Sequence, residues 1–202
     1  MKMKKVLALV LVVCLAMAIG VGATLAYLTA KTDTKVNTFT VGNVAIKLEE
    51  LKWEESGKVE AESVYALEPL AKDPTVTNIG ENPCFVRIKV EGLDCLKEKG
   101  AGDIIYRTDY QDGKLGDNWV KHTDGYYYYT KVLAKTEATD ALFDQIVIPA
   151  DVTNEMAGSF NIEVTAYAVQ AQGARPSFTA VEQMTVADIA AWFAVCAPAD
   201  WQ

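Results

Sequence analysis

The sequence predicts an all-β protein, an antiparallel β-sandwich with a short C-terminal helix, preceded by a cleaved signal peptide. Three observations carry this expectation. Runs that alternate apolar and polar residues recur from Val36 to Ala168, the period-two mark of half-buried strands. Glycine, proline and Asp-Gly punctuation stands between them, as at Asp112-Gly113 and Asp124-Gly125. Only past Gly173 and Pro176 does the spacing become that of a helix.

Residues 1–26 have the three parts of an export signal: a basic start at Lys2, Lys4 and Lys5, an unbroken apolar run over residues 6–19, and a small-residue exit. The run falls short of the roughly 20 residues that span a bilayer. Thr24 and Ala26 place small side chains at the two positions a signal peptidase reads, so the cut is expected between Ala26 and Tyr27. The alternative is an uncleaved anchor, since no charge follows until Lys31. Cys14 follows Leu11-Val12-Val13 and lacks the small residue that precedes a lipid-modified cysteine.

Residues 27–50 are expected to be the mature N-terminal segment and first strand. Phe39 and Val41 share one parity; Val44, Ile46 and Leu48 share the other. The switch at Gly42-Asn43 calls for a bulge, or for a turn between two short strands. The sandwich is expected over residues 36–171. Within it, residues 51–66 read as an acidic loop around Ser56-Gly57, with Trp53 a lid over the core edge. Pro69 and Pro74 exclude a central strand over residues 67–74. Residues 75–78 alternate and should pair, and residues 79–83 turn. Residues 85–90 make the clearest strand, with Val86, Ile88 and Val90 inward and Arg87 and Lys89 outward.

Residues 94–99 suit one helical turn, and residues 103–117 a loop with Asp112-Gly113 as hairpin signal. Residues 118–121 and 126–133 should pair around Asp124-Gly125. Tyr126, Tyr127, Tyr128 and Tyr129 put two rings on each face of their strand, for core and rim. A sugar-stacking surface is the other use of such rings. Residues 142–148 and 160–169 complete the sandwich, with Phe160, Ile162, Val164, Ala166 and Ala168 on one face. In the helical extension, residues 172–202, Thr179 and Glu182 have capping-box spacing. Ile189, Trp192, Phe193 and Cys196 then form one apolar stripe, ended by Pro198. That stripe should pack on the sandwich, or else bind a partner.

Several of these stretches resemble the TasA/camelysin group of exported proteins from Gram-positive bacteria. They are T-L-A-Y-L-T at residues 24–29, N-T-F-T-V-G-N-V-A-I-K-L at 37–48, K-D-P-T-V-T-N-I-G-E-N-P at 72–83, F-V-R-I-K-V at 85–90 and Y-Y-Y-Y-T-K-V-L at 126–133. The strand at 160–169 belongs with them. The resemblance reaches to about Ala171, and the signal junction is its most specific part. It implies a jelly-roll-like sandwich, a SipW-type signal peptidase as partner, and secretion to the cell surface or biofilm matrix, where relatives form fibres. Cys84 departs from the pattern, standing after Asn82-Pro83 in place of a small apolar residue.

The chain has 202 residues and a net charge of −8. Removing residues 1–26 leaves 16 basic and 27 acidic residues, a net charge of −11, which argues against nucleic acid and against an anionic membrane. Membrane contact is expected only through the uncleaved signal. Cys84, Cys95 and Cys196 remain, enough for at most one internal disulfide; reduced, buried thiols are the plainer reading, and a Cys84–Cys95 bond is the alternative. Catalytic residues, cofactors and a metal site are not expected. The single histidine, His122, lies on a polar stretch beside Lys121, and no zincin or nucleophile-elbow pattern occurs. Asp109, Asp112 and Asp117 do not match a calcium loop.

The expected function is thus a secreted, non-catalytic structural protein. Its freed leading segment, with Tyr27, Leu28 and Val36, would add as a donor strand to a neighbour and build fibres. The alternatives are a monomeric adhesin or carbohydrate-binding module using Trp119 and the tyrosines, and a camelysin-type secreted metalloprotease.

Overall fold

The computed structural model describes Met3, Leu11 and residues 42–153, 156, 158–172 and 184–201. The chain divides into two units, Met1–Thr40 and Val41–Gln202, and all of the strands belong to the second. The expected signal, its cut at Ala26 and Tyr27, and the leading segment with Leu28 and Val36 lie outside the described residues.

Ten strands run in chain order: β1 (Ile46–Glu49), β2 (Pro69–Ala71), β3 (Thr75–Asn78), β4 (Cys84–Glu91), β5 (Ile105–Thr108), β6 (Gln111–Asp112), β7 (Trp119–Lys121), β8 (Tyr127–Tyr129), β9 (Gln145–Val147) and β10 (Glu163–Gln170). Every pairing is antiparallel. One four-stranded sheet has the order β10-β4-β8-β7, the other β2-β9-β5-β6, and β1 pairs with β3. The all-β expectation holds at this level.

Both four-stranded sheets bury side chains in one core. Val86, Ile88, Trp119, Tyr127 and Tyr129 enter it from one, Leu70, Ile146 and the partly buried Tyr106 from the other. Tyr106 stacks on Phe143 at 5.7 Å and meets Tyr127 edge-on at 6.2 Å, so the sheets touch through aromatic rings. Asn78 is fully buried and satisfied: its Nδ2 donates to Asn82 O at 2.9 Å and Leu133 O at 3.0 Å, and its Oδ1 accepts from Gly80 N at 2.9 Å. Those bonds shape the turn expected at residues 79–83.

The outward face of β4 is also covered, which corrects the expectation for Arg87. Phe85, Tyr128, Val169, Ala171 and Met184 form a second core with Ile189 and Phe193 of the C-terminal helix, and Arg87 is only 6% exposed beneath it. An isolated helix of this length is marginal in water. Burial of Ile189 and Phe193 stabilises it by roughly 1.5–3 kcal/mol each.

Local chemistry sets several boundaries differently from expectation. Residues 51–60 are helical, a π-helical stretch Trp53–Gly57 running into α1 (Lys58–Glu60), where a loop was expected. Residues 103–117 hold a hairpin: Thr108 pairs with Gln111, and Asp109 and Tyr110 turn the chain with φ of 51° and 61°. Positive φ at both central residues fits a two-residue hairpin turn, so the turn precedes Asp112-Gly113. The C-terminal helix, α2 (Val186–Cys196), starts at a capping box between Thr185 and Asp188. The expected box at Thr179 and Glu182 lies outside the described residues. Ala197 is extended ahead of Pro198, which ends the helix, and Cys196 is exposed rather than in the apolar stripe.

Cys84 and Cys95 are both free thiols, in line with the reduced reading and against the alternative bond between them. Cys84 opens β4 and Cys95 follows its far end, so about 24 Å of extended strand separates them, against the 7 Å limit for a bridge. Burial pushes the Cys84 thiol up to about 12. Cys84 should therefore resist alkylation at pH 8 in the native chain and react after denaturation, by mass spectrometry. Rapid native labelling, or a Cys84–Cys95 peptide from unreduced protein, would contradict this.

Candidate functional site

Strand edges are where a sheet leaves main-chain groups unpaired, and three of the four edges of the larger sheets are blunted in ordinary ways. β2 begins with Pro69, which has no N–H to offer. β6 has two residues and β7 has three, one of them Lys121. β10 is different. It runs for eight residues and carries no charge or proline after Glu163.

β4 pairs along one side of β10, and no strand pairs along the other among the described residues. Ala171 N donates to Pro83 O at 2.9 Å. Alternation along an antiparallel ladder then turns the odd-numbered residues of β10 toward β4 and the N–H and C=O of Val164, Ala166 and Ala168 away. At the far end Gln170 O accepts from Trp192 Nε1 at 2.9 Å, so α2 covers that end only.

The side chains match this open edge. Ile162, Val164, Ala166 and Ala168 face the main core yet are only partly buried, as are Ile46 and Leu48 of β1, which lies against β10. Beside the two strands is a gap of about 330 Å³ bordered by Leu48, Leu51, Ile162 and Val164 on its apolar side and by Glu49, Glu50, Glu54 and Lys72 on its charged side. It adjoins a cleft of about 800 Å³ lined by Trp53, Tyr65, Ile146, Ile148, Phe160 and Ile162. Among the described residues, the sandwich is thus incompletely filled along β10.

The helix at residues 51–60 borders this opening, and its anchors come from far along the chain. Asp73 Oδ1 accepts from Lys52 N at 2.9 Å and Trp53 N at 3.3 Å, satisfying donors that a helix start leaves orphaned. Lys72 is buried. Its Nζ lies 2.9 Å from Glu50 Oε1, donates to Oε2 at 3.0 Å, and stands 5.0 Å over the Trp53 ring. Lys58 and Glu54 pair across one turn of the exposed face. Trp53 does cover part of the core, as expected, but from a helix.

Other sequence candidates fare differently. Of the residues expected to form a sugar-stacking surface, Trp119, Tyr127, Tyr128 and Tyr129 are buried and only Tyr126 is half-buried, so the five do not make one exposed aromatic face. His122 is half-buried rather than on the surface: its Nδ1 sits 3.2 Å from Asp124 Oδ1, and its ring meets Tyr128 edge-on. Among the described residues no group of three or more His, Cys, Asp or Glu side chains is placed to hold a metal ion. No described helix is long and apolar enough to cross a membrane. Comparison with protein-family models, curated proteins and solved structures finds no match for the chain.

Two stability measurements test these contacts. A Cβ on Gly57 would run into Ala71 O and lie 2.7 Å from Trp53 Cε3. Gly57→Ala should therefore lower Tm, although helix propensity alone favours Ala by about 1 kcal/mol; a raised Tm would contradict the contact. Lys72→Met should cost about 3–5 kcal/mol in urea unfolding by stranding the Glu50 carboxylate, and adding Glu50→Leu should recover most of it. A double variant whose loss equals the sum of the two single losses would show that the pair is not coupled.

Proposed function

We propose that the chain is an exported, non-catalytic structural subunit of the cell surface or biofilm matrix, a member of the TasA/camelysin group with a jelly-roll sandwich. A SipW-type signal peptidase cuts between Ala26 and Tyr27. The freed segment with Tyr27, Leu28 and Val36 then adds as a strand to β10 of a neighbouring copy. Head-to-tail repetition of that contact builds a fibre.

The observation that carries this reading is the edge of β10: eight residues long, uncharged past Glu163, without a second strand partner among the described residues, and flanked by core-facing side chains that remain partly exposed. An added strand there gains main-chain hydrogen bonds from Val164, Ala166 and Ala168 and covers the partly exposed side chains of Leu48, Ile162 and Val164. Before the cut, the segment stays tied to the membrane through the signal, so proteolysis is the switch for assembly.

The test uses the mature chain and two variants, with negative-stain imaging and sedimentation as readouts. Deleting residues 27–36 should leave a folded monomer without fibres. Ala166→Pro removes an N–H that β4 does not use, so it should fold with a loss of no more than about 2 kcal/mol and likewise form no fibres. Fibres from either variant overturn the donor-strand reading. A native protein that keeps residues 1–26 outside the cell overturns the role of the cut.

A further inference from the structure

Arg87 occupies an unusual position for a cation. It is 6% exposed, and among the described residues it makes no ion pair with any acid. Aromatic rings surround the guanidinium: Tyr126 at 3.8 Å, Phe193 at 4.6 Å and Tyr167 at 5.3 Å. Its nearest link to negative charge is indirect. Nη1 donates to Tyr128 OH at 3.3 Å, and that hydroxyl donates to Asp124 Oδ2 at 2.7 Å.

The remaining edge of the guanidinium is half used. Nε–H and one Nη2–H point the same way, and together they match the two oxygens of a carboxylate. Nη2 donates to the main-chain carbonyl of Trp201 at 2.6 Å, whereas the buried Nε has no hydrogen-bond partner. That carbonyl oxygen also accepts from Tyr126 OH at 3.2 Å. One neutral oxygen thus collects two donors, as a carboxylate oxygen does, and the Nε–H beside it is left without an acceptor. The Trp201 ring packs on Tyr167 at 5.1 Å, so an aromatic group comes with the oxygen.

We infer that the cage of Arg87, Tyr126, Tyr167 and Phe193 is a binding site for a carboxylate next to an aromatic group, closed here by the Ala199–Trp201 turn as a displaceable strap. The ligand's two oxygens take Nε and Nη2, its ring replaces that of Trp201 on Tyr167, and the strap lifts away. The site lies on the face of β4 that α2 covers and is independent of the β10 edge. A free organic acid and an acidic side chain beside an aromatic residue in a peptide share this chemistry.

The test follows the Arg87 Nε–Hε resonance in the 15N-labelled full chain, assigned by its loss in Arg87→Lys. The probes are 3-phenylpropionate, the uncharged 3-phenylpropionamide, and an end-blocked peptide with an internal Asp-Phe. The acid should shift the resonance saturably in the wild type. In Trp201→Ala it should do so at about tenfold lower concentration, the factor expected if the strap is closed about nine-tenths of the time, and the amide should leave it unmoved. Tighter binding of the peptide than of the acid identifies a protein side chain as the source, and the reverse identifies a small acid. A resonance that the acid leaves unmoved up to about 10 mM in both proteins, above the millimolar range of weak binding, overturns the site. So does one that acid and amide move alike.

Discussion

Eight residue pairs join β4 to β10, from Glu163 against Glu91 to Gln170 against Cys84. The rest of the structure hangs on this ladder. It fixes which side chains of β10 face the main core, because a shift of one residue would turn Val164, Ala166 and Ala168 outward. It also fixes which main-chain groups of β10 are left without a strand beside them. β4 has β8 on its other side, so its hydrogen bonding continues across the sheet. Among the described residues, β10 is where that pairing stops.

β4 in turn has a core on each face. Val86 and Ile88 join the rings of Tyr127 and Tyr129 in the main core, while Phe85 and Arg87 lie with Tyr128 under α2. The second layer explains why the sheet needs a helix at all. Without α2 the face carrying Phe85, Tyr128 and Val169 would be an exposed apolar surface of the kind that promotes association. With that face covered, the β10 edge is the place left for the strand addition we propose. Burial also holds Tyr128 well above its ordinary range, to about 12, consistent with a hydroxyl that stays protonated to bridge Arg87 and Asp124.

Much of this was legible in the sequence. The alternation at residues 85–90 and 160–169 carries β4 and β10 because period two survives wherever one face meets a core. Asp124-Gly125 marks its turn because glycine there takes φ of 87°. What sequence alone missed depends on contacts made at a distance. The helix around Trp53 is capped by Asp73, some 20 residues on, and Gly57 serves close packing against Ala71 rather than a turn. Asp109 and Tyr110 adopt positive φ without glycine, which the pattern around Asp112-Gly113 concealed. Arg87 looked solvated because nothing near it in the chain announces the aromatic cage that α2 and β8 complete. The leading segment is legible only as sequence, since it lies outside the described residues.

The assembly we propose requires the outer side of β10 to be free of a strand in the single subunit and paired in the fibre. Hydrogen exchange at the amides of Val164, Ala166 and Ala168, compared between monomer and assembled material, tests it most directly. A vacant edge predicts fast exchange in the monomer and strong protection after assembly, while Thr165, Tyr167 and Val169, which face β4, stay protected in both. Slow exchange of all six amides already in the monomer, or fast exchange of the outward three in the assembly, would contradict it.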